Sequence, residues 1–261
     1  MNQNEQVFNT ILPISSLSEE DSITDLFDIL INNYKNNDRI PCKLCNKPVK
    51  YYCYYCYKIV GIRKDDEKFI PKLKLPIKID IVKHNQELDG KSTAPHAKLI
   101  APDDVEIYSH ENIPEITNPD RVLLLFPDPD AKLLKDISLD SFDKLIVVDG
   151  TWRQAISMTK KNPTFRKLRK VTIKPQKTLF WRYQNKNENY LATIEAIYYF
   201  LREYDEISLS NNNSSNSNSY DYDGKYDNLL WYYKYFYELI QETYRNNENN
   251  LETDFLMLEQ I

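Results

Sequence analysis

At 261 residues with 41% hydrophobic content, the chain can bury a core as one large domain or a domain with an appendage. A net charge of −5 excludes a uniformly basic nucleic-acid coat but averages over local patches. No apolar run reaches the roughly 18 residues of a membrane span, and the polar start MNQNEQVFNT lacks a signal pattern, so a soluble intracellular protein is expected.

Residues 1–17 have no strong period and read as a loose arm. Ser18 precedes Glu19, Glu20 and Asp21, and Ile23, Leu26, Phe27 and Leu30 follow at helical spacing, predicting a helix to about Ile31. All four cysteines then fall in one short window, Cys42-x-x-Cys45 and Cys53-x-x-Cys56. Two such pairs supply four thiolates to a tetrahedral Zn2+, each pair from a tight turn, and leave no open position, so a zinc here is structural. Two disulfides are the alternative, disfavoured inside a cell. Tyr51, Tyr52, Tyr54, Tyr55 and Tyr57 crowd the pairs; packing a small core is favoured over stacking on RNA bases. The chain divides into an arm and helix over 1–37, a zinc knuckle over 38–62, a main domain over 63–246 with a disordered insert at 208–220, and a tail over 247–261.

Residues 74–82 alternate polar and apolar, as a half-buried strand does. They lead past His84, Asn85 and Glu87 to Gly90-Lys91-Ser92-Thr93-Ala94. The earlier glycine of a P-loop is missing, which leaves two readings: a loop meeting a ligand with amides and hydroxyls, or a solvated turn. Short apolar segments at 98–101 and 105–108 suggest another βα or β unit, and Pro114 and Pro119 break the connector over 112–120.

Residues 121–126 (RVLLLF) and 145–148 (LIVV) have the character of central parallel strands buried on both faces. The first stops at Pro127-Asp128-Pro129-Asp130, and one crossover helix starting near Ala131 and Lys132 fits between the two. A right-handed βαβ unit puts both strand ends on one rim. The second strand runs into Asp149-Gly150-Thr151-Trp152, where open α/β sheets place ligand chemistry. The competing reading makes Asp149 and Thr151 caps of the next helix.

From Gly150 to Asn187 there is no Asp or Glu, while Arg153, Arg166, Lys167, Arg169 and Arg182 are among the cations present. In an acidic chain such segregation points to a polyanion held through its phosphates. Residues 171–173 read as a strand. Residues 190–203 form a helix with Leu191, Ile194, Ile197, Tyr198 and Leu201 on one face, and residues 228–244 form another.

Asp149-Gly150-Thr151-Trp152 resembles the D-x-T-W signature of DTW-domain proteins. Residues 91–94 (KSTA), 125–131 (LFPDPDA) and 191–196 (LATIEA) resemble that family in kind and order, as do the cysteine pairs, over about 42 to 239. Residues 178–184 (TLFWRYQ) and 194–200 (IEAIYYF) are most similar to its eukaryotic branch. The insert after Asp205 is the one departure.

The resemblance implies an α/β, SPOUT-like, mostly parallel sheet flanked by helices beside the small N-terminal four-cysteine zinc knuckle. It implies a tRNA-uridine aminocarboxypropyltransferase that uses S-adenosylmethionine as donor of its 3-amino-3-carboxypropyl arm. A D-loop uridine is modified, 5′-methylthioadenosine is released, and the expected location is the nucleus, with the cytoplasm open. Expected partners are tRNA and S-adenosylmethionine, with no membrane and no stable protein partner. On this reading Asp149, Thr151 and Trp152 are catalytic, with Asp149 taking the uridine N3 proton or orienting the donor. Ser92, Thr93, Pro127, Asp130, Gly150, Thr193 and Glu195 meet the donor. Arg153, Arg166, Lys167, Arg169 and Arg182 meet tRNA. A SPOUT-type RNA methyltransferase and a non-catalytic zinc-containing RNA-binding module remain as alternatives.

Overall fold

Each Cys-x-x-Cys pair sits in its own tight hairpin at the N-terminal end of the fold. The computed structural model describes residues 39–61, 67–68, 70–178, 180, 190–212 and 222–248. The first pair lies between β1 (Ile40–Pro41) and β2 (Pro48–Val49), and the second spans the hairpin of β3 (Tyr52–Cys53) and β4 (Lys58–Ile59). The expected helix over 18–31 and the tail beyond 248 lie outside the described residues.

Pro76 has no N–H for a ladder, and the strand predicted from residue 74 begins two residues after it, as β5 (Lys78–Lys83). It is followed by α1 (Ala94–Ile100), β6 (Val105–Ser109), β7 (Val122–Leu125), β8 (Lys132–Leu133) and β9 (Lys144–Asp149). Then come α2 (Trp152–Lys161), α3 (Pro163–Lys167), β10 (Arg169–Thr172), α4 (Thr193–Asn212) and α5 (Trp231–Glu248). The six strands from β5 onward form one sheet in the order β6-β5-β9-β7-β10-β8, every pairing parallel. The expected parallel sheet flanked by helices is borne out.

Alternate residues of each central strand feed opposite faces. Leu145 and Val147 of β9 join Ile79, Ile81, Leu123 and Leu125 in a core closed by α1, α4 and α5. Ile146 and Val148 join Val82, Val122 and Leu124 in a second core beneath Ala155, Met158 and Phe165 of α2 and α3. Asp149 continues the phase of Leu145 and Val147, so its side chain belongs to the α1/α4 face. Helices on both faces are why residues 145–148 carry no polar side chain.

The crossover helix expected between β7 and β9 is not formed. The segment runs out to the sheet edge, pairs Lys132 and Leu133 with Val171 and Thr172, and returns through 3-10 turns at Leu134–Asp136 and Leu139–Ser141. Asp136, Ser138, Asp140 and Ser141 favour turns over a helix interior. Helix α4 starts later than predicted and runs on to Asn212, taking the first residues of the expected insert, whose remainder at 213–220 lies outside the described residues. Residues 227–230 form a 3-10 turn before α5.

Candidate active site

Parallel pairing brings the ends of β5, β7 and β9 onto one rim, with Lys83 in register with Asp149. The Asp149 side chain is only 3% exposed, and both its oxygens are engaged. Ser92 Oγ donates to Oδ2 and Thr193 Oγ1 to Oδ1, each at 2.6 Å. Ser92 belongs to the loop before α1 and Thr193 opens α4, so one carboxylate ties two separate elements to the end of β9. Beside them Ile194 N donates to Thr93 Oγ1 at 3.1 Å, fastening loop and helix to each other directly.

Burial raises the Asp149 pKa above the ordinary carboxylate value. The two hydroxyls and the charge of Lys83 pull the other way without cancelling it. Glu87, half-buried in the loop after β5, accepts from Thr151 N at 3.2 Å. Its pKa is also raised, by burial first and then by the charge of Asp149.

Capping falls to Thr151 alone. Its Oγ1 accepts from Gln154 N while Gln154 Oε1 accepts from Thr151 N at 2.7 Å, a capping box for α2. Trp152 is half-buried, edge-on to Tyr190 at 4.5 Å and 6.0 Å from Phe126. Gly150 lies close against Gln154 of α2 and His84. A Cβ there would lie 2.9 Å from Gln154 Oε1 and 3.1 Å from His84 Cβ, at a φ of 158° that side chains rarely adopt. The glycine is needed by its own neighbours.

The remaining predicted donor contacts divide. Glu195 is buried, its Oε2 accepting from Thr178 Oγ1 and Ala192 N at 2.7 Å each, which fastens the segment before α4 to that helix. Pro127 and Asp130 are exposed on the loop after β7. That loop is anchored by Asp128, which accepts from Asp130 N and pairs with Lys170 at 3.0 Å. Of the predicted tRNA contacts, Arg153, Arg166 and Lys167 are exposed on α2 and α3. Arg169 donates to Asp120 O at 2.5 Å and Ser141 O at 2.8 Å, so it staples two loops. Arg182 lies outside the described residues.

The knuckle brings the Sγ atoms of Cys42, Cys45, Cys53 and Cys56 within 4.8 Å of one another, with Cys45 and Cys53 at 3.5 Å and all four as free cysteines. Sulfurs bound at about 2.3 Å around a tetrahedral ion lie roughly 3.8 Å apart, so the donor set fits a four-thiolate metal centre. Leu44 N and Cys56 N point at Cys42 Sγ and Cys53 Sγ. The residue after each pair, Asn46 and Tyr57, turns left-handed at φ 57° and 51°, its N–H closing onto the carbonyl of the first cysteine.

The knuckle is built into the main core. Tyr51 stands edge-on to Tyr235 and Phe236. Tyr52 OH lies 3.1 Å from Nε2 of His96, a histidine of α1 that burial keeps neutral, its pKa pushed down to about 3. Tyr57 is pushed up to about 12, first by burial and then by the charges of Asp89 and Asp149. Sequence reasoning passed over Lys83 and named Glu87 without giving it a site role. Lys83 and Glu87 follow directly on the alternating strand, a signal that could have singled them out.

Polar side chains gathered where parallel strands end are how α/β enzymes build ligand sites, and this rim has that form. The chain belongs to the DTW domain family, whose profile matches residues 50–241. It is 35% identical over 263 residues to tRNA-uridine aminocarboxypropyltransferase 1 of Rattus norvegicus, covering 84% of this chain and 83% of the relative. The Homo sapiens protein of that name is 34% identical over 274 residues (87% and 86%), and that of Xenopus tropicalis 34% over 247 (78% and 80%). No solved structure matches significantly. No helix among the described residues is long and apolar enough to cross a membrane.

Proposed function

We propose that this protein transfers the 3-amino-3-carboxypropyl group of S-adenosylmethionine to N3 of a uridine in tRNA. Family membership and relatives of that name over most of both chains support the reaction. The observation that carries the site is the Asp149 carboxylate, held between the hydroxyls of Ser92 and Thr193 on the sheet rim.

Uridine N3 is a poor nucleophile while protonated. As it attacks the carbon beside the sulfonium, the N–C bond forms, the C–S electron pair returns to sulfur as methylthioadenosine leaves, and the N3 proton goes to a base. Asp149 lies too deep to meet uracil directly, whereas Thr193 is half-buried with its hydroxyl on Oδ1. The Thr193 hydroxyl takes the N3 proton as it passes its own to Asp149. Burial strengthens Asp149 as a base by raising its pKa, and its negative charge beneath the rim favours a cationic donor. Ser92 fixes the second oxygen, and Trp152 with Tyr190 walls the site on the α2 side.

Arg153, Arg166 and Lys167 take tRNA phosphates on the α2–α3 face. The metal of the knuckle is zinc, structural because four thiolates leave no open position. A D-loop target and a nuclear location belong to the same proposal, supported by the family resemblance. Mapping the modified nucleotide and imaging a fluorescent fusion test them.

The decisive experiment incubates the protein with unmodified tRNA and S-adenosylmethionine and identifies the small product. Methylthioadenosine is expected. S-adenosylhomocysteine would instead make it a methyltransferase, and no turnover a binding module.

A further inference from the structure

Charge segregation occurs a second time, in the knuckle. Residues 39–61 contain no Asp or Glu, and Arg39, Lys43, Lys47 and Lys58 are exposed there. A zinc ion on four thiolates contributes about −2 at the centre of the knuckle, so the cations outweigh it and lie outside it. The tyrosines divide into two groups. Tyr51 and Tyr52 lock the knuckle onto α5 and α1, whereas Tyr55 is 51% exposed.

Tyr55 and Leu44 occupy the same position of the two Cys-x-x-Cys turns, and Leu44 is 69% exposed. Packing a zinc core explains neither. Lys47 Nζ sits 3.2 Å above the Tyr55 ring centroid, setting a cation beside an aromatic face. A single-stranded nucleotide fits that pairing, its base on the ring face opposite Lys47 and its phosphate on the ammonium. Tyr52 of the same hairpin meets His96 in the first turn of α1, directly after the rim residues Ser92 and Thr93, so the knuckle packs on the helix that starts at the rim.

We infer that the knuckle is a second RNA-binding surface, on which Tyr55 stacks an unpaired nucleotide of the tRNA whose uridine enters the Asp149 site. The inference rests on the tRNA reading above. Equilibrium binding of unmodified tRNA across a salt series tests it, alongside S-adenosylmethionine affinity and zinc content. Tyr55→Ala is expected to bind tRNA about tenfold more weakly and Tyr55→Trp about as well as wild type. Lys43→Glu with Lys58→Glu is expected to flatten the salt dependence by about 0.7–0.9 per lysine. Donor affinity and zinc content stay unchanged in all three. Wild-type turnover together with unchanged tRNA affinity in zinc-loaded Tyr55→Ala overturns this inference alone. Failure of the wild-type chain to bind tRNA overturns it together with the reading it rests on.

Discussion

Thr193 and Asp149, 44 residues apart in the chain, share a 2.6 Å hydrogen bond that joins the start of α4 to the end of β9. If this hydroxyl relays the N3 proton, Thr193→Val should lower kcat by about 10²-fold or more, whereas Thr193→Ser should stay within a few-fold of wild type. Losing a donor to a charged carboxylate also costs about 1.5–3 kcal/mol of stability, read by denaturant unfolding. Equal kcat in the two variants would leave the hydroxyl a purely structural role.

Asp149→Asn separates stability from activity through pH. The folded-state pKa of Asp149 is raised, so its contribution to stability is full below the ordinary carboxylate value and is lost as pH rises through the raised one. The asparagine variant should therefore match or exceed wild type in Tm near neutral pH, with any advantage vanishing toward acid. Its transfer activity should fall, and the rising limb of the kcat/KM profile assigned to this group should disappear. Unfolding scans and initial rates over one pH series check both halves.

Gly150→Ala places a Cβ against Gln154 and His84 at a backbone angle that side chains rarely adopt. A cost of about 1–3 kcal/mol is expected, with loss of transfer because the strain falls between Asp149 and the cap of α2. Urea unfolding gives the first number and product formation the second.

Metal removal should reach the main core. Tyr51 and Tyr52 pack with α5 and α1, so a chelator or Cys53→Ser should lower the Tm of the whole domain in one transition. Elemental analysis of the purified chain should find one zinc per molecule. A separate low-temperature transition for the knuckle would contradict this coupling.

Arg166→Glu with Lys167→Glu should weaken tRNA binding and reduce its salt dependence, leaving donor affinity unchanged. Filter binding at several salt concentrations, paired with calorimetry for S-adenosylmethionine, gives both readings.

The central strands were legible in the sequence because burial on both faces removes polar residues, as at 145–148, and that alone predicts a parallel sheet with helices on each side. The four cysteines were legible because metal ligands must recur at turn spacing. The path between β7 and β9 was not. Leu133, Leu134 and Ile137 suit a helix, but the turn-favouring Asp136, Ser138, Asp140 and Ser141 break it, and Lys132 and Leu133 pair with the edge of β10 instead. At the site, Asp149 stood out by following a buried strand, but its two hydroxyl partners come from other elements, and no local pattern announces such a meeting. The resemblance groups Thr151 and Glu195 with Asp149 as site residues; in the fold the exposed Thr151 caps α2 and the buried Glu195 fastens the segment before α4.

The tyrosines that lock the knuckle into the core also set where the chain can be trimmed. The DTW family match begins at residue 50, between the two hairpins. A fragment cut there keeps Cys53 and Cys56 with Tyr51 and Tyr52 but discards Cys42 and Cys45. Half a metal centre would then stand against the α5 aromatics, without the β1–β2 hairpin that carries its other two ligands. The smallest unit that holds a whole metal centre starts ahead of Ile40, and the boundary of the family profile is a poor guide to the boundary of folding.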